Sequence, residues 1–362
     1  MATPVNAALP ARGARRIFIL GGLALILAGM IFGDIFAIFL LHPNAARIGE
    51  SLMAATEAVA AGNQDAVIDH FTRIGGFLEH RGTKVDTHVH IIVFGYIALL
   101  LAIVQPYVAF SERVKTRLAV LFVFGATLLP VCVFLIYYVG LAFSPLESIG
   151  WASIFADLGG LLVIVACIGE LAGLWRHLRG NGASVTPEDL LPKPSGVSRL
   201  LLAGGTLLVL VGFAHGAWYA GFHMERIYQQ DAAILRAAMT QAATGELAAA
   251  RGQVAAYGGL QAERAVNIAA HAHSIEFGIL AMLLAFIQPW VFLSEKWKRR
   301  WALTLLAGSV ILPVFVLAEM WWGLIAGGIA DTGGLLVIIA LTGMLVGVLR
   351  HTGRLDASST GL

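Results

Sequence analysis

The sequence predicts an all-α, polytopic membrane protein with eight transmembrane helices, arranged as two parallel four-helix repeats with external amphipathic helical segments. Three observations predict this class. Hydrophobic residues make up 58% of the chain and charged residues only 13%, and the mean hydropathy is +0.81. Apolar runs of membrane length recur along the chain, and the second half repeats the first. Soluble domains are far more polar than this.

Each apolar run is long enough to cross a hydrocarbon core of ~30 Å. Lipid offers no hydrogen-bond partners, so each run must satisfy its own backbone as a helix or belong to a closed barrel. Runs of this length favour helices. The predicted spans are 17–41, 88–110, 118–141, 151–175, 200–222, 271–293, 302–325 and 331–349.

The repeat has a constant offset of 183 residues over most of its length. Farther along, the offset shortens to 174, and Asp157 before Leu-Gly-Gly matches Asp331 before Thr-Gly-Gly. These polar residues are the same in both halves, whereas the neighbouring apolar residues differ, so the polar residues are the first candidates for chemistry. The other recurring pairs are His88-Val89-His90 with His271-Ala272-His273, Gln105-Pro106 with Gln288-Pro289, Ser111-Glu112 with Ser294-Glu295, and Pro130 with Pro313.

Four spans in each half mean that both halves enter the membrane from the same side, which predicts a parallel repeat. Asn, Gly and Pro cluster between the halves as a linker. The predicted divisions are a cytoplasmic N-terminus at 1–16, the first repeat at 17–179, a cytoplasmic linker at 180–198, the second repeat at 199–351 and a cytoplasmic tail at 352–362.

The basic residues predict the orientation, because cytoplasmic loops carry an excess of Lys and Arg. They fall on one side if both termini are cytoplasmic, which predicts a multi-pass protein of a bacterial-type inner membrane. The net charge of +2 arises mostly from these loops and implies no nucleic acid partner. The residues concerned are Arg12, Arg15, Arg16, Arg113, Lys115, Arg117, Arg176, Arg179, Lys193, Arg199, Lys296, Lys298, Arg299, Arg300, Arg350 and Arg354.

The connections on the opposite side are longer and mix acids with bases. Their segments 44–80 and 227–265 carry apolar residues at helical spacing. They predict short amphipathic helices that lie over the outer face as a scaffold or lid.

The His-x-His pairs, His88 with His90 and His271 with His273, begin the second and sixth predicted spans near the outer surface. Residues two apart on a helix point ~200° away from each other. One histidine can therefore face its own four-helix half while the other faces a neighbouring helix or the other half. Imidazoles ligate haem iron, copper or zinc, and ionisable residues in a membrane are rare without a role. Hydrogen bonding to a carbonyl or proton handling are the alternatives.

Asp157 and Asp331 open the fourth and eighth predicted spans. Aspartate favours helix N-caps, which is the preferred interpretation. A second, compatible role is to accept a hydrogen bond that orients an imidazole ligand. The Gly-Gly that follows each aspartate permits close helix packing.

The halves differ at several ionisable positions. His215 stands where the first half has Phe32, and Glu276 stands where it has Val93, three residues after His273. His215 is a candidate additional ligand, and Glu276 is a candidate proton handler. These differences suggest that the second half hosts the more elaborate site.

Thr87-His88-Val89-His90 and His271-Ala272-His273, each opening an apolar span, resemble the His-x-His span of the catalytic subunits of haem-copper oxidases and nitric oxide reductases. In that superfamily the two histidines of the pair serve two different haems, and ligands lie on the second helix of four-span units. The departures from that superfamily are two units instead of three, no adjacent His-His pair and, on this interpretation, no His-x-x-x-Tyr crosslink pattern. The resemblance implies haem binding, electron transfer or gas sensing.

The leading hypothesis is an integral membrane protein that binds haem b, with copper or another transition metal as the alternative cofactor, in a redox role near the outer face. His88, His90, His271 and His273 are the predicted metal ligands. Opposed histidines suit axial ligation of a flat macrocycle better than a tetrahedral cage. The expected partners are membrane lipid and a quinone or redox partner; homo-oligomerisation and a role as an oxidoreductase component stay open. The rivals are a proton- or metal-coupled transporter or channel and a membrane assembly or sensory protein.

Overall fold

The computed structural model of the protein describes residues 13–139, 150–180 and 195–350. Within them the chain forms ten α-helices and no strand, which confirms the all-α class. Eight helical segments are long and apolar enough to cross a membrane. The helices are α1 Ala14–Phe36, α2 His42–Ala60, α3 Gln64–Val104, α4 Glu112–Val139, α5 Trp151–Leu178, α6 Gly196–Tyr219, α7 Glu225–Ala243, α8 Leu247–Ile287, α9 Glu295–Trp322 and α10 Leu324–Leu349.

The repeat extends to the secondary structure. Helices α1 to α5 correspond in order to α6 to α10, and each copy has the same two irregular turns. A π-helical turn joins α1 to α2 at Ala37–Leu41 and α6 to α7 at Ala220–Met224. A 3₁₀ turn ends α3 at Gln105–Tyr107 and α8 at Gln288–Trp290. The predicted tail lies outside the described residues, as do most of the linker and most of the predicted N-terminus.

Helices α3 and α8 are the longest elements, with 41 residues each. At 1.5 Å per residue such a helix is ~60 Å long, about twice the hydrocarbon core. The predicted short helices on the outer face are therefore only half right. Helices α2 and α7 are short, but the rest of each segment is the N-terminal half of α3 or α8, continuous with its span. Polarity changes at the membrane boundary there, whereas the helix does not end.

Helices α2 and α7 pack with the N-terminal halves of α3 and α8 as a four-helix bundle, which we call the hairpin bundle. Leu52, Ala238 and Val254 are buried at its centre, and Ile74 of α3 packs against them. Arg251 of α8 pairs with Glu57 of α2 at 2.5 Å, which links the two repeats. The side of the protein that carries this bundle is the hairpin side; the opposite side, where α4 and α9 begin, is the basic side.

Glycines set the closest helix crossings, and they do so in both copies. A Cβ on Gly125 would lie 2.6 Å from the carbonyl oxygen of Gly159, and a Cβ on Gly308 would lie 2.5 Å from that of Gly333. Only glycine lets α4 meet α5 and α9 meet α10 at this distance. This confirms the packing role of the Gly-Gly that follows Asp157 and Asp331.

The basic side of the first repeat contains a buried polar cluster. Gln105 Nε2 donates to Glu170 Oε2 at 2.8 Å, and Lys115 Nζ donates to the Gln105 carbonyl oxygen at 2.9 Å. Glu170 is 3% exposed, and its other carboxyl oxygen has no hydrogen-bond partner among the described residues. The second repeat has Met344 in the place of Glu170, where its sulfur accepts from Gln288 Nε2 at 3.8 Å.

The substitution Glu170→Met should therefore leave the fold intact and keep or raise the thermal midpoint in detergent. It copies the second repeat and removes a buried oxygen that lacks a partner, a feature that costs ~1–3 kcal/mol. Glu170→Lys, which buries a new charge beside Lys115, is the destabilised control. A large fall in the midpoint for Glu170→Met would contradict this interpretation of the cluster.

Candidate functional site

The first histidine of each His-x-His pair is held in the same way. His88 Nδ1 lies 2.9 Å from the carbonyl oxygen of Gly29, and His271 Nδ1 lies 2.9 Å from that of Gly212. Each bond joins the second spanning helix of a repeat to the first. Both imidazoles thus point into their own four-helix half, as helical geometry predicts.

Glycines also make room for these two rings. A Cβ on Gly33 would collide with His88 Cε1, and a Cβ on Gly216 would collide with His271 Cε1. Any side chain there would displace the imidazole. The π-helical turns begin about one turn farther along α1 and α6, and π turns are frequent at functional sites.

The carbonyl partners determine the tautomer of both rings. A carbonyl oxygen only accepts hydrogen bonds, so Nδ1 of His88 and of His271 must donate. In the neutral ring, Nε2 then keeps its lone pair. A histidine whose Nδ1–H is held by a backbone carbonyl is the common arrangement for ligation through Nε2.

The second histidines of the pairs differ from the first and from each other. His90 Nδ1 lies 2.7 Å from the carbonyl oxygen of Asp86, one turn earlier on α3. His273 Nδ1 lies 3.9 Å from Glu276 Oε2, so the predicted neighbours share a helix face. His273 is also close enough to His88 of the other repeat for their charges to interact. The second pair therefore serves two directions, one within its repeat and one across to the first repeat.

Asp157 and Asp331 are not helix caps, so the preferred interpretation of them is wrong. Helix α5 begins at Trp151 after Gly150, and α10 begins at Leu324 after Gly323, so both aspartates lie about two turns inside their helices. Both side chains are exposed, and neither hydrogen-bonds an imidazole among the described residues. The structure therefore does not bring them together with the histidines.

Asp331 instead lies near a second carboxylate. Asp34 of α1 is close enough to Asp331 of α10 for the two charges to interact. A Cβ on Gly334 would lie 3.2 Å from Asp34 Oδ1, so the carboxylate packs directly against α10. Helices α5 and α6, which occupy the equivalent places, make no comparable contact in the part of the chain that is described. The two repeats therefore pack asymmetrically.

His215 has a different tautomer from His88 and His271. Its Nε2 lies 3.2 Å from Asn267 Oδ1, while Asn267 Nδ2 donates to the Glu263 carbonyl oxygen at 2.8 Å. Because Oδ1 accepts, His215 Nε2 must donate, and only Nδ1 keeps a lone pair. Tyr219 lies one turn farther along α6, with ring centroids 6.5 Å apart. His215 and Tyr219 form a His-x-x-x-Tyr spacing, so the sequence interpretation that the chain has none is wrong.

Lys84 occupies the place of Asn267 in the first repeat, and sequence reasoning missed it as well. Its side chain is fully buried, and Nζ donates to the Phe134 carbonyl oxygen at 3.0 Å. The ammonium also lies 3.9 Å from the ring centroid of Phe134 and 4.5 Å from that of Tyr138. The comparison of the two repeats could have identified this residue, because Lys84 is aligned with Asn267 and both lie one turn before a His-x-His pair.

No group of three or more His, Cys, Asp or Glu side chains forms a metal cage within the described ranges. The four histidines of the His-x-His pairs lie near the hairpin side without forming such a group. His177, at the basic side, packs its ring against Tyr107 at 5.7 Å, and His351 lies outside the described residues.

The fold and these side chains define a duplicated, multi-pass helical membrane protein in which the first histidine of each His-x-His pair is bonded to a backbone carbonyl of the first helix of its repeat. The chain matches no protein-family model, no curated protein and no solved structure.

Proposed function

We propose that the protein binds haem through His88 and His271 and has a redox role in the membrane. The observation that supports this most is the Nδ1–carbonyl hydrogen bond that both halves form. In each half a glycine also leaves space for the imidazole ring. Two copies that have diverged at Lys84 and Asn267 have kept this arrangement. Its result is an Nε2 lone pair held in a fixed direction, which axial ligation requires.

His88 and His271 would hold the group through the lone pair of Nε2, and haem would supply one-electron chemistry. Glu276, beside His273, accepts and returns protons near the site. His90 also has its Nδ1 held by a carbonyl oxygen, so it is a further candidate ligand. Copper is the alternative metal for the same imidazoles.

The proposal includes an orientation. Both termini lie in the cytoplasm, so the basic side faces the cytoplasm and the hairpin side faces outward, in a bacterial-type inner membrane. The basic residues that begin α4 and α9 support this. Electrons would come from a quinone or a redox protein, and the chain would act as an oxidoreductase component.

An optical spectrum of the purified protein, with elemental analysis, tests the proposal. We expect a Soret band that weakens strongly in His88→Ala and in His271→Ala, because each substitution removes an Nε2 ligand. Loss of about half the absorbance in each variant would indicate two separate haems. Near-complete loss in both would indicate one shared haem.

The matched control is His215→Phe, which installs the residue of the first repeat. The Nε2–H of His215 is committed to Asn267, so this variant should keep the Soret band. Wild-type protein without a Soret band and without bound metal would end the proposal. An equal loss in the control and in both ligand variants would also contradict it.

The carboxylates support a second candidate function, a proton-coupled transporter. Asp34 and Asp331 lie near each other on the hairpin side, and buried Glu170 lies toward the basic side. Carboxylates at several depths are typical of proton relays. Substrate-dependent proton flux into liposomes, retained without haem and lost in Asp34→Asn, would favour it over the first candidate.

A further inference from the structure

Helix α3 carries an apolar row that stays exposed among the residues the structure describes. Ile68, Phe71 and Leu78 are 58%, 46% and 43% exposed. With Gly75, Gly82, Val85 and Val89 they are spaced alternately by three and four residues, and we call this row the α3 stripe. Spacing of this kind over three heptads is the pattern of a coiled-coil seam.

Lipid does not account for the first half of the stripe. A span of ~20 residues counted back from the end of α3 at Val104 reaches only Val85. Ile68 lies 17 residues farther along the helix from there, or ~25 Å beyond the membrane-length segment. Three large apolar side chains in water need another partner.

The glycines of the stripe point the same way. A glycine inside a helix costs ~1 kcal/mol relative to alanine. Gly29, Gly33 and Gly95 are explained by contacts within the chain, but a Cβ on Gly75 or Gly82 would meet no atom within 4 Å. No described residue approaches Gly75 or Gly82, so both positions leave room for a second helix to come close to α3.

The second repeat provides an internal comparison. The positions of Ile68 and Leu78 are occupied in α8 by Arg251 and Gln261, which bond Glu57 and Asp231. That face of α8 is also covered by α2, whereas α7 makes no comparable contact with α3 among the described residues. Gly258 repeats Gly75, so the small residue is shared, but of these two helices α3 alone has an apolar row that no described residue covers.

We propose that the α3 stripe pairs with the same stripe of a second copy of this chain, as a parallel two-stranded coiled coil. Two copies in one membrane have the same orientation, so their α3 helices must run parallel. In a parallel coiled coil, the residue immediately before a seam residue of one helix lies opposite a residue of the partner helix. That partner residue comes immediately after the following seam residue. Those positions are Arg81 and Asp86, which have opposite charges, and neither forms an ion pair among the described residues.

Disulfide trapping in native membranes tests the pairing. Cys132 and Cys167 are first replaced by alanine, and Phe71→Cys or Leu78→Cys is added singly. Both stripe positions lie at the seam, so oxidation should give a band at twice the chain mass of 38.4 kDa. We expect at least ~5-fold more dimer than at the controls, because seam residues of a parallel pair face each other.

Two controls lie at matched positions. Arg73→Cys lies on α3 but faces away from the seam, and Gln261→Cys lies at the depth of Leu78 on the other repeat. Equal trapping at the stripe and at the controls would overturn the proposal. So would a trapped band of another mass, which would identify a different partner.

The native mass in mild detergent provides a second readout. Leu78→Glu places like charges at the seam and should convert the dimer to monomer, while Gln261→Glu should not. Circular dichroism checks that both variants remain helical. A wild-type mass equal to one chain, together with no trapping, would overturn the proposal.

Discussion

Replacing Gly278 with valine should prevent the second repeat from folding. A Cβ at this position would lie 2.6 Å from the Gly205 carbonyl oxygen and 2.9 Å from the Val209 backbone nitrogen. Both atoms belong to the backbone of α6, so neither can rotate away as a side chain would. Separating the helices would forfeit their packing, which holds transmembrane helices together. We expect little monodisperse protein and a loss above ~3 kcal/mol where the protein can be purified.

Gly258→Ala is the matched control, because it lies on the same helix where a Cβ meets open space. Helix propensity alone should then raise stability, by up to ~1 kcal/mol. Thermal midpoints in one detergent measure both variants. A midpoint for Gly278→Val equal to that of wild type would show that α6 and α8 do not meet as closely as described.

The sequence predicts the spans and the repeat because both depend on composition and order alone. It does not predict the hairpin bundle. Between Glu79 and His88 the sequence changes from amphipathic to apolar, but it contains no proline there. Hydropathy therefore changes at this point while the helix continues. The contact between α2 and α8 involves residues nearly 200 positions apart, and such pairings have no local pattern.

The same limit applies to the site. The paired histidines stand out in the sequence, but the carbonyl oxygens that hold them belong to Gly29 and Gly212, 59 residues earlier. Which carbonyl oxygen bonds the histidine depends on the position of α1 along the axis of α3. The sequence of one helix does not determine that position. The cap prediction for Asp157 failed for a related reason. The apolar residues Trp151, Ile154 and Phe155 extend the helix before the first acid, so the polar residue does not mark its start.

Lys84 is a buried cation where the second repeat has Asn267, and its removal should have the second large effect. Lys84→Ala deletes a fully buried side chain, leaves a cavity beside Phe134 and Tyr138, and removes the bond to the Phe134 carbonyl oxygen. Comparable truncations of buried long side chains cost ~2–5 kcal/mol. The thermal midpoint and the free energy of unfolding in mixed micelles measure the loss.

An exchange between the repeats separates the effect of the cavity from that of the polar pair. Lys84→Asn alone should be destabilised, because its amide would be buried beside Phe32 without the histidine that its counterpart bonds. The double exchange Phe32→His with Lys84→Asn rebuilds the bonded pair that His215 and Asn267 form in the second repeat. It should recover ~1 kcal/mol or more relative to Lys84→Asn, the net contribution of one buried hydrogen bond. The double variant could instead be no more stable than Lys84→Asn. The residues around the pair, and not the two exchanged residues, would then determine which pair is stable in each repeat.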